Sequence, residues 1–331
     1  MARWANPSSP HAEGRAARAT LEQARTRIAT AYGWAGELLF TGGASESLAI
    51  AIERSVVSRR LISAVEHDAV LRHAEGAQTL PVSADGLLDL DALRIALDGP
   101  RAIVAMQWAN SETGVRQPIA EIAALVHAAG SILLIDAAQM PARADEAVTT
   151  HADLVVVSAH KRGGPIGVGG LMVRDFRSLH PTGGQEKGYR SGTENVPGVL
   201  GFAAALAESE EDDHYAALRV RLDTRLETYG AEIVAKRAPR HPAIGSYRMP
   251  GVASTVQLIR FDMGGIAVSA GSACSSGSMR PSHVLVAMGW EEPATREVVR
   301  VSFGRDTREA DVDRFAIAWG EIARDARSRA A

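Results

Sequence analysis

The sequence predicts an α/β protein built on a parallel sheet with helices on its faces. Short apolar runs, among them Glu37–Thr41, Arg60–Val65, residues 101–106 and 131–135, and Leu154–Val157, alternate with segments of helical composition. Leu154-Val-Val-Val157 shows no polar alternation, the pattern of a strand buried on both faces. Several of these runs end in polar side chains, where open α/β sheets bind ligands just beyond the carboxyl ends of their strands.

The elements follow in order. Residues 11–32 are rich in alanine, arginine and glutamate and predict an amphipathic helix, with Gly33 as its stop. The strand 37–41 runs into Gly42-Gly43-Ala44-Ser45-Glu46-Ser47, which opens a helix through Glu53. A strand, a glycine turn and a helix N-terminus form an anion site, because backbone N–H groups and the helix dipole point the same way. No Gly-Lys-Ser/Thr follows, so this is not a P-loop. The strand 60–65 ends in Glu66-His67-Asp68 and leads to a helix at 69–75. Further units are a strand near 78–82, a helix at 89–97, a strand at 101–106, a helix at 118–129 and a strand at 131–135. The strand 154–157 ends in Ser158-Ala-His-Lys161 and a glycine-rich loop, and Gly169–Val173 returns beside it. A long polar loop, 183–195, precedes a helix at 199–208. The acidic run 208–214 predicts a boundary between a large domain, 1–210, and a small one, 211–331. In the latter we expect a helix at 215–230, a strand at 252–261, an alternating strand near 298–305 and a terminal helix at 311–328.

Composition narrows the function. With 46% hydrophobic and 23% charged residues and a net charge of −3, the 331-residue chain is globular in type. It offers no basic field for nucleic acid and no polybasic membrane patch. No apolar run approaches a membrane span, and the first ten residues lack a signal-peptide core, so a cytoplasmic protein is expected. The single cysteine, Cys274, excludes an internal disulfide framework and a multi-thiolate metal site, and no metal is expected. Glycine and serine flank it on both sides, which predicts a mobile, exposed loop rather than a core position.

Lys161, just past a buried strand, is costly to desolvate unless its amine is used, and one use is a Schiff base to a carbonyl cofactor. Pyridoxal phosphate needs such a lysine, an acid for its pyridine nitrogen, an aromatic group over the ring and anion donors for its phosphate. Lys161, Asp136, His67 and the Gly43-Ala44-Ser45 helix start supply these four, each at a strand end, and Cys274 adds a nucleophile. Taken singly, Asp136 reads as a helix cap, His67 as a helix-start histidine, Ser45, Ser158 and Thr193 as caps or loop residues, and Arg300 as a strand-edge charge.

The motifs Phe40-Thr-Gly-Gly-Ala-Ser-Glu-Ser47, Glu66-His67, Asp136-Ala-Ala-Gln139, Ser158-Ala-His-Lys161, Tyr189-Arg-Ser-Gly-Thr-Glu-Asn195, Ser269-Ala-Gly-Ser-Ala-Cys274-Ser-Ser276 and Arg300-Val-Ser-Phe-Gly-Arg305 are spread along nearly the whole chain. With them the sequence resembles the cysteine desulfurases of the class V aminotransferase-like enzymes, in the NifS/IscS-type rather than the SufS-type group. The resemblance implies the PLP-dependent transferase fold, with a mostly parallel seven-stranded sheet in an aspartate-aminotransferase-like large domain. A smaller α+β C-terminal domain would carry the cysteine loop. It implies that Lys161 holds pyridoxal 5'-phosphate and moves the substrate α-proton, and that Asp136 pairs with the pyridine nitrogen. Gln139 would bond the ring hydroxyl, while His67 stacks on the ring and assists proton transfer. Gly43, Ala44, Ser45, Ser158 and His160 would bind phosphate, joined by the partner's Thr193 across a homodimer. Arg300 would grip the carboxylate of L-cysteine, with Asn110 and Ser111 beside it. Cys274 would take the sulfur as a persulfide, release alanine, and deliver the sulfur to an acceptor protein for iron–sulfur cluster assembly or tRNA thiolation.

Two departures from the family wording stand out. Relatives open with a segment like Tyr-Leu-Asp-x-Asn-Ala-Thr-Thr, whereas this chain starts almost at Asn6, which implies a truncated variant or a mis-assigned start. Their Asn-Asn-Glu-Thr-Gly reads Asn110-Ser111-Glu112-Thr113-Gly114 here. These departures leave two alternatives: a shortened paralogue that binds the cofactor and acts as a partner protein, and a class V lyase or aminotransferase on another amino acid, for which Cys274 is dispensable.

Overall fold

The computed structural model describes residues 5–208, 210, 212–271 and 281–330. They form two compact units: one of residues up to 80, 89–108 and 117–209, the other of 81–88, 109–116 and 210 onward.

In the first unit the chain runs α1 (Ala12–Tyr32), β1 (Glu37–Thr41), α2 (Ala44–Glu53), β2 (Arg59–Ser63), α3 (Asp68–His73), β3 (Gln78–Leu80), α4 (Leu90–Leu97), β4 (Ala102–Gln107), α5 (Ile119–Ala128), β5 (Ile132–Asp136), α6 (Glu146–His151), β6 (Leu154–Ser158), β7 (Gly169–Val173) and α7 (Val196–Ala205). The sheet is seven-stranded, in the order β1-β7-β6-β5-β4-β2-β3. From β3 across to β6 the pairs are parallel, while β7 runs antiparallel to both β6 and β1. Every residue of β4, β5, β6 and β7 is buried, which is why their sequences are unbroken apolar runs. The core on one face packs Leu48, Ala51 and Ile52 of α2 against Leu134, Val156 and Leu171 of the sheet.

Parallel register brings the carboxyl ends of adjacent strands level: Gln107 lies opposite Asp136, and Asp136 opposite Val156. At the antiparallel pair Ser158 lies opposite Gly169. A Cβ on Gly169 would sit 2.7 Å from the Cα and carbonyl carbon of Gly43, so only glycine lets β7 pass the start of α2. Gly43 itself has φ 148° and ψ 178°, a conformation essentially confined to glycine.

The loop from Thr182 to Asn195 is held by charged side chains of the helices. Arg25 of α1 forms a two-pronged pair with buried Glu186, at 2.7 and 3.0 Å, and the Glu186 carboxylate also accepts the Phe40 N–H at 2.9 Å. Glu186 and Lys187 have positive φ, 46° and 58°, a strained conformation that the Arg25 clamp holds in place. Arg18 pairs with buried Glu194 at 2.9 Å, and Arg190 with Glu46 in the first turn of α2 at 3.0 Å.

The second unit contains α8 (Asp212–Thr228), β8 (Glu232–Ile233), β9 (Ile244–Arg248), α9 (Ser254–Met263), β10 (Ser269–Ala270), α10 (His283–Ala287), α11 (Glu292–Thr295), β11 (Val298–Ser302) and α12 (Glu309–Ala330). Its four-stranded sheet has the order β10-β11-β9-β8 and is antiparallel throughout. Its core includes Phe261, Phe315 and Trp319 with Tyr247. The strand expected at 252–261 is instead the helix α9. Ser254, Gln257 and Phe261 face inward at helical spacing, while Val256 and Ile259, whose β-branched side chains suggested a strand, are exposed. The strand β9, a short mixed run ending in Tyr-Arg, was not anticipated.

Gly169→Ala is expected to cost about 1–3 kcal/mol, because the obstructing atoms are backbone. Urea unfolding checks this, and an unchanged midpoint would contradict the close approach of β7 to α2.

Candidate active site

The carboxyl ends of β2, β4, β5 and β6 deliver the polar side chains of the first unit to one edge. Asp136 ends β5 and is 8% exposed. Its carboxylate accepts the Ala138 N–H at 3.0 Å, and its carbonyl accepts the Trp108 N–H at 2.9 Å. Burial pushes this carboxyl above the ordinary aspartate range, opposed by the Ala138 N–H and then by the charges of His67 and Lys161. Asp136, His67 and Lys161 are thus brought within electrostatic reach of one another.

His67 caps α3: its Nδ1 accepts the Ala69 N–H at 3.1 Å, which places the proton of the neutral ring on Nε2. Lys161 sits on the 3₁₀ turn Ala159–Arg162, which closes on Gly163 at φ 75°. Its side chain is exposed, contrary to the expected burial: the strand ends at Ser158, and the turn carries the lysine out of the sheet. Ser158 is buried, with its Oγ 3.0 Å from Nδ1 of exposed His160. Partial desolvation, then the Lys161 charge, lowers the His160 pKa.

The N-terminus of α2, at Gly43, Ala44 and Ser45, has no side-chain cap. Ser158 reaches it through its register partner Gly169, which abuts Gly43. A helix start with uncapped N–H groups, beside a serine and a histidine, is a donor set suited to a phosphate. Gln139 is half-buried in the turn after Asp136, and Thr193 is exposed on the loop between Arg190 and Glu194. Together these groups match the chemistry of pyridoxal phosphate: anion donors, a buried acid, an imidazole and an amine.

In the second unit, Arg300 lies in β11 and its Nη1 donates to the Ser111 carbonyl at 2.9 Å. Asn110 is buried, and its Oδ1 accepts the backbone N–H groups of Glu112 and Thr113, both at 2.9 Å. This Asx turn fixes the loop that presents Ser111. Glu112 is anchored in turn by Ser282 Oγ at 2.5 Å and, through its carbonyl, by Ser246 at 2.8 Å. Cys274 lies outside the described residues. Among the described residues no cluster of three or more His, Cys, Asp or Glu side chains is placed to hold a metal, and no helix is long and apolar enough to cross a membrane.

Sequence reasoning missed Glu66 and Gln107 as individual residues. Both are buried, and the Glu66 carboxylate accepts the Gln107 N–H at 3.0 Å. The available signal was an acid standing between a buried strand and a capping histidine.

The buried acid makes a stability prediction. The Asp136 pKa is raised in the folded state, so the native protein holds its proton at a pH where the unfolded chain has lost it. Stability therefore falls as pH rises from about 4 through the native pKa. Asp136→Asn is expected to stabilise the cofactor-free protein at pH 7 by about 1 kcal/mol, with the gain vanishing below about pH 4. Unfolding midpoints across pH check this; a destabilised variant at pH 7 would contradict it.

Comparison with known proteins agrees with this geometry. The aminotransferase class-V family profile matches residues 2–315. A cysteine desulfurase of Cereibacter sphaeroides is 36% identical over 94% of this chain and 87% of its own length. Cysteine desulfurase IscS 1 of Archaeoglobus fulgidus is 33% identical over 94% of this chain and 88% of its own. The X-ray structure of a NifS-like protein from Rickettsia africae superposes with a TM-score of 0.88 at 30% identity, covering 97% of this chain and 92% of that one. The class-V family depends on pyridoxal phosphate. The chain belongs to the aminotransferase class-V family, among its NifS/IscS-type cysteine desulfurases.

Proposed function

We propose that this chain converts L-cysteine to L-alanine and takes up the sulfur on Cys274 as a persulfide, with pyridoxal 5'-phosphate held in the first unit. The observation that carries the reading is the grouping of Asp136, His67 and Lys161 around one buried carboxyl at the ends of β5 and β6. The cofactor, when bound, supplies a cationic ring that stabilises negative charge at the substrate Cα.

The residues divide the remaining work. Gly43, Ala44, Ser45, Ser158 and His160 would donate to the phosphate, together with the partner's Thr193 in a homodimer. Gln139 would bond the ring hydroxyl, and His67 would cover the ring. Asp136 would pair with the ring nitrogen, an interaction that the low-dielectric edge strengthens. Lys161 would hold the cofactor, and its amine would serve as the base that moves the substrate α-proton. Its side chain stands exposed on the 3₁₀ turn beyond β6. His67, with its proton on Nε2, exchanges protons with the substrate thiol.

Arg300, whose Nη1 donates to the Ser111 carbonyl, grips the substrate carboxylate with its guanidinium. The Cys274 thiolate attacks the substrate sulfur: the S–S bond forms as the C–S bond breaks, and alanine leaves after the carbon is protonated. The persulfide then passes to an acceptor protein for iron–sulfur cluster assembly or tRNA thiolation.

Purified protein is expected to carry the cofactor's absorbance and to release alanine and sulfide in equal amounts from L-cysteine with a thiol present. Lys161→Ala should lower turnover by about 10²-fold or more. Cys274→Ala should abolish sulfide release while leaving the cofactor bound. Unchanged sulfide release by Cys274→Ala would sink the role of that thiol. Cofactor bound without any sulfide from wild type would sink the desulfurase reading.

A further inference from the structure

Glu66 is unused by the mechanism above, yet it is one of the most deeply buried charged-type residues of the first unit. Its relative exposure is 0%, and it lies one residue before His67. The chain leaves β2 through a turn in which the Glu66 N–H donates to the Ser63 carbonyl at 3.3 Å. That turn is joined to the end of β4 by two bonds in opposite directions. The Gln107 N–H donates to Glu66 Oε1 at 3.0 Å, and Gln107 Nε2 donates to the Val65 carbonyl at 2.8 Å. Gln107 is the register partner of Asp136, and the next residue, Trp108, donates its N–H to the Asp136 carbonyl at 2.9 Å. One run of hydrogen bonds thus leads from the His67 cap, through Glu66 and Gln107, to the backbone of Asp136.

We infer that Glu66 is a positioning residue for the cofactor site: its carboxyl oxygen, by accepting the Gln107 N–H, locks the His67 turn and the Asp136 strand end into one arrangement. The inference rests on the reading of Asp136 and His67 as cofactor ligands.

Burial pushes the Glu66 carboxyl well up, the Gln107 N–H opposes this, and the charge of Asp136 adds to it. Glutamine keeps an acceptor oxygen at the same reach from the Gln107 N–H. Aspartate keeps the acid but draws it back by one methylene from the Gln107 N–H.

The test compares Glu66→Gln, Glu66→Asp and Glu66→Ala with wild type in pyridoxal phosphate titrations, well below each unfolding midpoint. The readouts are the dissociation constant and the absorbance spectrum of the bound cofactor. Glu66→Gln is expected to stay within about twofold of wild type, and Glu66→Asp to bind on the order of tenfold more weakly with an altered spectrum. Glu66→Ala should match or exceed the aspartate defect; if it does not fold, the other two variants decide. A purely structural role would move the midpoint and leave the affinity and spectrum of the folded variants unchanged, which would overturn the inference. A glutamine variant as impaired as aspartate would overturn the role given to the acceptor oxygen. Wild type that binds no cofactor would instead overturn the functional reading on which this rests.

Discussion

A buried carboxylate at the end of a parallel strand is the constraint around which the first unit is arranged. Asp136 cannot stay ionised without donors and positive charge, and the parallel sheet can supply these only from neighbouring strand ends. Register does the rest. Because β4 and β5 end level and β6 runs only two residues further, the residues just past them converge without any long loop having to find its place. The Ala138 N–H comes from the turn of β5 itself, His67 from the exit of β2, and Lys161 from the exit of β6.

The proposed cofactor site places two demands on the same edge. Backbone stiffens the part proposed to hold ring and phosphate: the glycine start of α2, the close passage of β7, and the Glu66–Gln107 hydrogen bond. Lys161 is set apart from the strand instead: β6 stops at Ser158, and the lysine stands exposed on a short 3₁₀ segment that ends in glycine. In the second unit the loop 109–116 is likewise stiff, held by the Asx turn of Asn110 and by Ser246 and Ser282 on Glu112.

Much of this was legible in the sequence, for reasons that can be named. The strands β4 to β7 are buried on both faces, so their composition is unambiguous, and the polar residues that follow each strand mark the functional edge. The helix α9 was misread because its burial is carried by Ser254, Gln257 and Phe261, two of which are polar, while its exposed face holds Val256 and Ile259. Glu66 stayed hidden for a related reason: its importance lies in a partner 41 residues away that no local pattern announces. The burial of Lys161 was overestimated because proximity to a buried strand does not imply burial once the chain has turned.

The pair Arg25–Glu186 has a consequence for how the protein is made. It joins residues 161 positions apart, and Arg18–Glu194 spans 176. Closing so long an interval is entropically slow and cannot begin until both ends have been synthesised. The helix α1 emerges early but has no ion-pair partners for the loop until the sheet strands between them exist. The loop bearing Thr193 is therefore among the last parts of the first unit to settle. Up to that moment Arg18 and Arg25 share a single acidic neighbour, Glu22 of their own helix, and only the arrival of the loop completes their charge pairing.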